Sequence, residues 1–188
     1  YDSALNNSDM LRALLNSLIV ATSATILAVM MATAAALGIP AFNRRGPAES
    51  LVGLPLLVPE IVTAVALLVL FVSTGFRLGL VTIILAHTVF CIPFAYYPIR
   101  SRLAGLDPAL LEAGSDLYAT SWRRFLRIEM PLLAPGMLAG ALLSFISSLG
   151  DFVVTYFVSG PGSTTLPVYI YGLIRVGVTP EVNALSAL

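Results

Sequence analysis

The chain has 188 residues, of which 58% are hydrophobic and 11% charged, and its ten basic residues balance ten acidic ones. A water-soluble domain carries roughly 45–50% apolar and about 25% charged residues, so an ordinary soluble enzyme is excluded, and the balanced charge makes no case for nucleic acid. Every basic residue is Arg, which excludes a lysine-based active site, and a single cysteine, Cys91, excludes an intrachain disulfide framework and any multi-cysteine metal site.

Uncharged runs separate Arg12 from Arg44, Arg77 from Arg100 and Glu129 from Asp151. Each is as long as the roughly 20 residues that a helix needs to cross a hydrocarbon core of about 30 Å. The polar start, residues 1–9, has neither Met nor a basic region, so it is not a cleavable signal peptide, and a preceding piece of chain is expected. The first predicted span covers about 14–42 and ends at Asn43-Arg44-Arg45-Gly46-Pro47. The second covers about 51–76 and is interrupted only by Glu60. A tight connection at 75–79 leads to the third, 80–99. A polar insert, 100–129, holds nine of the twenty charged residues. The fourth span, 130–158, is broken by a Gly/Pro/Ser/Thr stretch, 159–167. The segment 159–179 contains a short apolar run that reads as an interfacial or re-entrant helix. Thr179-Pro180-Glu181 then opens a last helix, 180–188. The fold expected is an all-α polytopic membrane protein, one transmembrane domain incomplete at both ends.

Arginine bias sets the expected orientation. Placing the 43–50 loop in the cytoplasm puts Arg44, Arg45, Arg100, Arg102, Arg123, Arg124 and Arg127 inside, and Arg12, Arg77 and Arg175 outside. The insert 100–129 then faces the cytoplasm and 159–179 the exterior.

Within the spans, ionisable groups are candidate functional groups by default. Glu60 lies near the middle of the second span, with Pro55 and Pro59 weakening the helix beside it. Freed carbonyls and a carboxylate suit a cationic substrate; a Glu bonded to a neighbouring helix is the alternative. Asp151 follows Gly150, with Ser147 and Thr155 on its face at i±4. It either joins a substrate pathway or caps a break in the helix. Tyr156 and Phe152 can meet an ammonium by cation–π contact, or serve as interfacial aromatic residues. His87 and Cys91, at i and i+4, offer too few ligands for a structural metal and read as a satisfied intramembrane histidine beside a small apolar neighbour. Arg100 and Arg102 are expected to anchor a span end, and Trp122 and Phe125 to pack the second short helix of the insert onto the helix ends.

In the insert, Asp107-Pro108 starts a helix in cap-then-proline fashion, and Thr120 or Ser121 can cap a second. A helix–turn–helix follows whose apolar face is too small to bury itself; an amphipathic loop on the headgroups is the other reading. The stretch resembles the EAA loop of ABC-importer permeases: Glu112, Ala113, Ile128 and Pro131 stand at matching positions, while Gly114, Tyr118 and Met130 depart from the pattern. Tyr118 replaces a glycine that would permit a left-handed turn residue. Residues 151–161, 165–171 and 176–184, with Val58-Pro59-Glu60-Ile61-Val62 and Phe90-Cys91-Ile92-Pro93-Phe94, are similar to the C-type permeases of spermidine/putrescine importers.

The resemblance implies a type I importer helical bundle in a bacterial inner membrane. It implies a permease without catalytic residues, cofactor or metal, serving an ATP-driven, binding-protein-dependent polyamine importer. Its partners would be a dimeric cytoplasmic ATPase, a second permease subunit and an extracellular or periplasmic solute-binding protein. Leu111, Glu112, Ala113, Gly114, Leu117 and Tyr118 would contact the ATPase, and Glu60, Asp151, Thr155 and Tyr156 would line the substrate pathway. Permeases for iron, thiamine, opines, sulfate or molybdate share the loop, but an anion pathway calls for cationic groups at mid-depth, and no span holds an Arg near its centre. The chain has no P-loop motif of its own. An intramembrane aspartyl protease lacks its second aspartate, a rhomboid-like protease lacks a histidine after its serine, and a non-transporting scaffold leaves the mid-membrane Pro-Glu unexplained.

Overall fold

The computed structural model describes residues 8–39, 45–107, 109 and 120–176. Helix α1 is Ser8–Gly38, α2 Arg45–Leu57, α3 Glu60–Ser73 and α4 Leu80–Ala104. A short helix α5, Ser121–Arg124, runs through a π-helical turn, Phe125–Glu129, into α6, Met130–Gly150; α7 is Val153–Val158 and α8 Leu166–Val176. Among the described residues, three helical runs are long and apolar enough to cross a membrane: α1, α4 and the run Trp122–Gly150. The α2–α3 pair qualifies only when taken together, and its two halves meet at 105°.

The bundle is built on α1, α4 and α6, each packed on the other two. Helices in lipid gain little from burying apolar surface against one another, so close backbone approach through small residues drives their association. On α1, Ala24, Ala28, Ala32 and Ala36 recur at every fourth position and are fully buried. On α6, Gly136, Gly140, Ser144 and Ser148 do the same. The α6 stripe lies antiparallel along α4: Gly136 on Pro98 and Ile99, Gly140 on Ala95, Ser144 on Cys91, Ser148 on His87. A Cβ at Gly140 would sit 2.8 Å from the Ala95 carbonyl oxygen and 2.9 Å from its Cα, so only glycine fits. Lower on the seam, Cys91 Sγ donates to the Ser144 carbonyl at 3.4 Å and Ser144 Oγ donates to the Cys91 carbonyl at 3.3 Å. The outward side chains Leu15, Ile26, Met30, Leu138 and Ile146 are more than half exposed, as suits a lipid-facing surface.

Two of the charge-bounded runs are interrupted. Pro59 disfavours helix at Val58 and itself begins α3 with φ −53° and ψ 133°. In the fourth run α6 stops at Gly150, Asp151 is extended (ψ 129°), and the chain re-enters helix at Val153. At one end of the bundle the 159–165 loop closes over the start of α1, and the α3–α4 turn, with Gly75 at φ +75°, lies against that loop through Leu78. Asn16 Nδ2 donates to the carbonyls of Gly162 (3.2 Å) and Thr164 (2.9 Å), and the Leu166 amide donates to Ser17 Oγ at 2.8 Å. Gly160 lies against the Leu78 carbonyl with no room for a side chain.

At the other end, Arg100 pairs with Glu49 at 3.1 Å and Arg102 Nε donates to the Leu132 carbonyl at 2.9 Å. Asp107 Oδ1 accepts the Ala109 amide and Thr120 Oγ1 that of Arg123, the capping expected of both positions. Trp122 stacks on Phe125, but at 67% exposure its indole is not packed onto the helix ends as anticipated. The expected ATPase-contacting residues Leu111, Glu112, Ala113, Gly114, Leu117 and Tyr118 lie outside the described residues, as does the last helix, 180–188.

Candidate functional site

The two interruptions face each other. Glu60 is the first residue of α3, and α3 packs on α7, the helix that follows the break at Asp151. Between them opens a cleft of about 350 Å³, lined by Pro55, Leu56, Val58, Glu60 and Thr63 from the bent run, Phe90 and Phe94 from α4, Ser147 from α6 and Val154 from α7. Glu60 is exposed to this cleft. Its carboxyl lies within reach of the Asp151 carboxyl.

Asp151 itself is buried, at 6% exposure. Its carboxylate takes up the free amides of the first turn of α7: Val154 N donates to Oδ1 at 3.3 Å and Thr155 N to Oδ2 at 2.8 Å. Short polar side chains are favoured at helix starts because they satisfy such orphan donors. The Thr155 hydroxyl donates to Oδ2 as well, at 2.8 Å. Asp151 is thus a cap, and Thr155 reaches it across the break. Ser147, on the last turn of α6 before the break, lines the cleft, and the α6 residue that meets the cluster is its neighbour Ser148.

His87, on α4, completes the cluster at 1% exposure. Its Nε2 is 3.1 Å from Asp151 Oδ2 and 2.9 Å from Thr155 Oγ1, and its Nδ1 is 2.6 Å from Ser148 Oγ. The Thr155 hydroxyl proton is committed to Asp151, so Thr155 Oγ1 accepts from His87 and Nε2 carries a proton. The histidine is satisfied, as its sequence setting suggested, but by groups from α6 and from the α7 start rather than by its own helix. Phe90, a wall of the cleft, stacks on the imidazole with ring centroids 4.9 Å apart.

Of the four pathway candidates, Glu60, Asp151 and Thr155 therefore come together. Tyr156 stands apart. Half exposed, it groups with Phe152 (5.4 Å between centroids) and Tyr171 (6.3 Å), and the Arg175 guanidinium lies 5.5 Å from the Tyr171 ring. His87 and Ser148 are the members that sequence reasoning did not assign to the site. The signal for Ser148 was its place at the end of a series of small residues at every fourth position, Gly136, Gly140, Ser144, Ser148. Among the described residues no group of three or more His, Cys, Asp and Glu is placed to hold a metal ion.

A helical bundle with apolar outer faces, a proline-broken span and a carboxylate pair inside it defines a polytopic membrane protein with a solute-sized cleft. The chain belongs to the family of binding-protein-dependent transport system inner membrane components, whose model matches residues 24–180. It is similar to the spermidine/putrescine transport system permease protein PotC of Escherichia coli (strain K12), 37% identical over 190 residues, covering 100% of this chain and 72% of the relative. It is 38% identical over 197 residues to the putrescine transport system permease protein PotI of the same strain, covering 100% and 70%. Among solved structures, an inward-facing conformation of the MetNI methionine ABC transporter matches with a TM-score of 0.76 at 18% identity, covering 92% of this chain and 83% of that one. The fold is that of an ABC importer permease, and the protein is a multi-pass inner-membrane component of a transport complex.

Proposed function

We propose that the chain is the permease subunit of an ATP-driven importer of polyamines, and that the cleft beside Glu60 lies on the route the substrate takes. The observation that carries this reading is a carboxyl group at the mouth of a broken apolar span, in a chain similar over its whole length to PotC and PotI. Stripping water from an ammonium group is expensive unless a counter-charge replaces it. Glu60 supplies one, and the rings of Phe90 and Phe94 flank the alkyl chain that links the amines. Thr155 and Asp151 support Glu60 from behind, and Tyr156 belongs to an aromatic approach nearer the 159–165 loop.

The ATP chemistry belongs to a separate dimeric ATPase on the cytoplasmic side, a second permease completes the pathway, and a solute-binding protein delivers substrate from outside. In this arrangement the 100–129 insert faces the ATPase. Glu112 offers it a charge-assisted hydrogen bond, Leu111, Ala113 and Leu117 fill an apolar groove, and the small residues Ala113 and Gly114 let the ATPase surface approach closely. The test is uptake of labelled spermidine by the assembled importer in proteoliposomes. Glu60→Gln keeps shape and removes charge, and is expected to slow uptake about tenfold (roughly 1.4 kcal/mol in barrier) in an intact complex. Uptake at the wild-type rate sinks the cleft assignment. Glu112→Ala is expected to reduce ATPase co-purification with insertion unchanged; undiminished co-purification and uptake remove Glu112 from the coupling role.

A further inference from the structure

Among the described residues, one nitrogen base touches the carboxylate pair, His87 at Asp151. His87 is buried on α4, and three structural elements meet at its ring: Ser148 from α6, Asp151 from the α6–α7 break, and Thr155 from α7. Among the described residues the titratable groups around it are few. Glu60 comes from α3 and Asp151 from the break; Cys91, one turn on in α4, is engaged with the Ser144 carbonyl. Tyr156 of α7 is turned to the aromatic group, and neither α1 between Arg12 and Gly38 nor α6 between Met130 and Gly150 holds a titratable side chain. Two carboxyl groups this close repel when both are ionised, so a nearby positive charge favours the ionised pair, and histidine is the side chain that gains one near neutral pH.

The geometry accommodates both charge states of the ring without moving a heavy atom. Nε2 carries a proton toward Thr155 and Asp151 in either state. Nδ1 faces a hydroxyl at 2.6 Å. Ser148 Oγ donates to Nδ1 when the ring is neutral and, on rotating its proton away, accepts from Nδ1–H when the ring is charged.

We propose that His87 is a positioning residue of the substrate cleft: it braces Asp151 against α7 and, by taking a second proton, gives the Glu60–Asp151 pair the counter-charge that a substrate ammonium gives it when the cleft is filled. The inference rests on the cationic-substrate reading of the cleft. The second proton comes from solvent and returns to it as the cation enters; no bond between heavy atoms forms or breaks. Acid then competes with the substrate, through His87.

The experiment measures uptake of labelled spermidine by the complete importer in proteoliposomes from about pH 8 to about pH 6, as a ratio to ATP hydrolysis in the same vesicles. Wild type is expected to lose uptake per ATP toward the acid end. His87→Gln keeps a donor near the Nε2 position but does not titrate, and is expected to run more slowly and with a ratio flat across the range. His87→Leu, which frees Asp151, is expected to lose uptake throughout. Ser148→Ala withdraws the acceptor from the charged ring, and hydrogen bonds to a charge are the stronger ones, so the acid loss moves to lower pH. This variant carries the test if His87→Gln does not assemble.

A wild-type profile without acid loss, a His87→Gln profile that keeps it, or a Ser148→Ala profile identical to wild type overturns the proposal. Failure of the cleft reading is seen separately, as Glu60→Gln transporting at the wild-type rate with His87 variants flat or not.

Discussion

The α4–α6 seam and the α2–α3 bend use their residues in opposite ways. Along the seam, glycine and serine at every fourth position bring two backbones into contact, and the polar groups that remain find partners across it, as Ser144 and Cys91 do. At the bend, Pro59 separates two helices that lie at 105°, and large apolar side chains such as Leu51, Leu57 and Val69 stay mostly exposed. One region is held by fit, with nothing to spare. The other leaves a cleft and puts a carboxyl group in it. In a membrane protein the two belong together, because irregular backbone at depth is tolerated where it lines a cavity or packs on protein, and the rigid seam supplies the wall against which the bend opens.

The largest effect is expected where the seam is closest. Gly140→Leu has to displace the Ala95 backbone, and no folded bundle should be recovered in detergent. Gly140→Ala asks for a smaller shift and should destabilise by about 1–3 kcal/mol, the range for overpacked cores. Thermal unfolding of purified protein measures both, and an alanine variant as stable as wild type would mean that α4 and α6 are not in contact at this depth. Next comes Asp151→Ala, which removes the cap of α7 and leaves His87 buried without its carboxylate. A lost cap is worth about 1 kcal/mol and a stranded buried donor about 1–3 more. Thr155→Val, which keeps the carboxylate and its backbone bonds, should lose less; an equal loss would assign the effect to the hydroxyl network and not to the cap.

Much of this contrast is written in the chain, at different levels of legibility. The uncharged runs that end at Arg12, Arg77, Arg100 and Glu129 mark where α1, α4 and α6 lie, because length and apolarity are local properties. Pro59-Glu60 marks the bend for the same reason. The capping of α7 by Asp151 was one of two readings, and no local feature decides between them: the outcome depends on α4 bringing His87 to the same depth. The i±4 arithmetic that grouped Ser147 with Asp151 assumed an unbroken helix; the break after Gly150 takes Asp151 off that face, while Ser147 lines the cleft and Ser148 meets the histidine. The small-residue stripe of α6 was legible but is easily passed over when spans are read from charge alone.

A subtler test acts on the bend. Pro59→Ala restores an amide and removes the clash that keeps Val58 out of helix; alanine is favoured over proline by about 3 kcal/mol inside a helix. Straightened conformers of α2 and α3 become accessible, while the seam is untouched. Stability should change by no more than about 1 kcal/mol, since the residues at the bend are exposed, but uptake should fall as Glu60 leaves the cleft. Spin labels at Leu51 and Val72, both exposed, should report a longer and broader distance distribution in the variant. An unchanged distribution would show that packing of α3 on α7 enforces the bend and that proline only fits it.

The smallest effect is expected at the ion pair that ties α2 to α4. Glu49 and Arg100 meet at 3.1 Å, but their side chains keep 37% and 27% of their exposure. Exposed pairs of this kind contribute about 0.2–1 kcal/mol and weaken in salt. Glu49→Gln should therefore shift unfolding of the bundle by less than about 1 kcal/mol, and the shift should shrink as ionic strength rises. The pair still bears on the comparison, because Gly53, one turn further along α2, faces the hydroxyl end of Tyr97 on α4, a half-exposed side chain that has to turn aside for a Cβ. If the contact at Gly53 holds α2 in place, Gly53→Ala will destabilise more than Glu49→Gln, and the bent half of the molecule will prove to be anchored by the same close fit as the seam. If Glu49→Gln is the more damaging of the two, α2 is held by charge, and the region around the cleft is free to move in a way the α4–α6 seam is not.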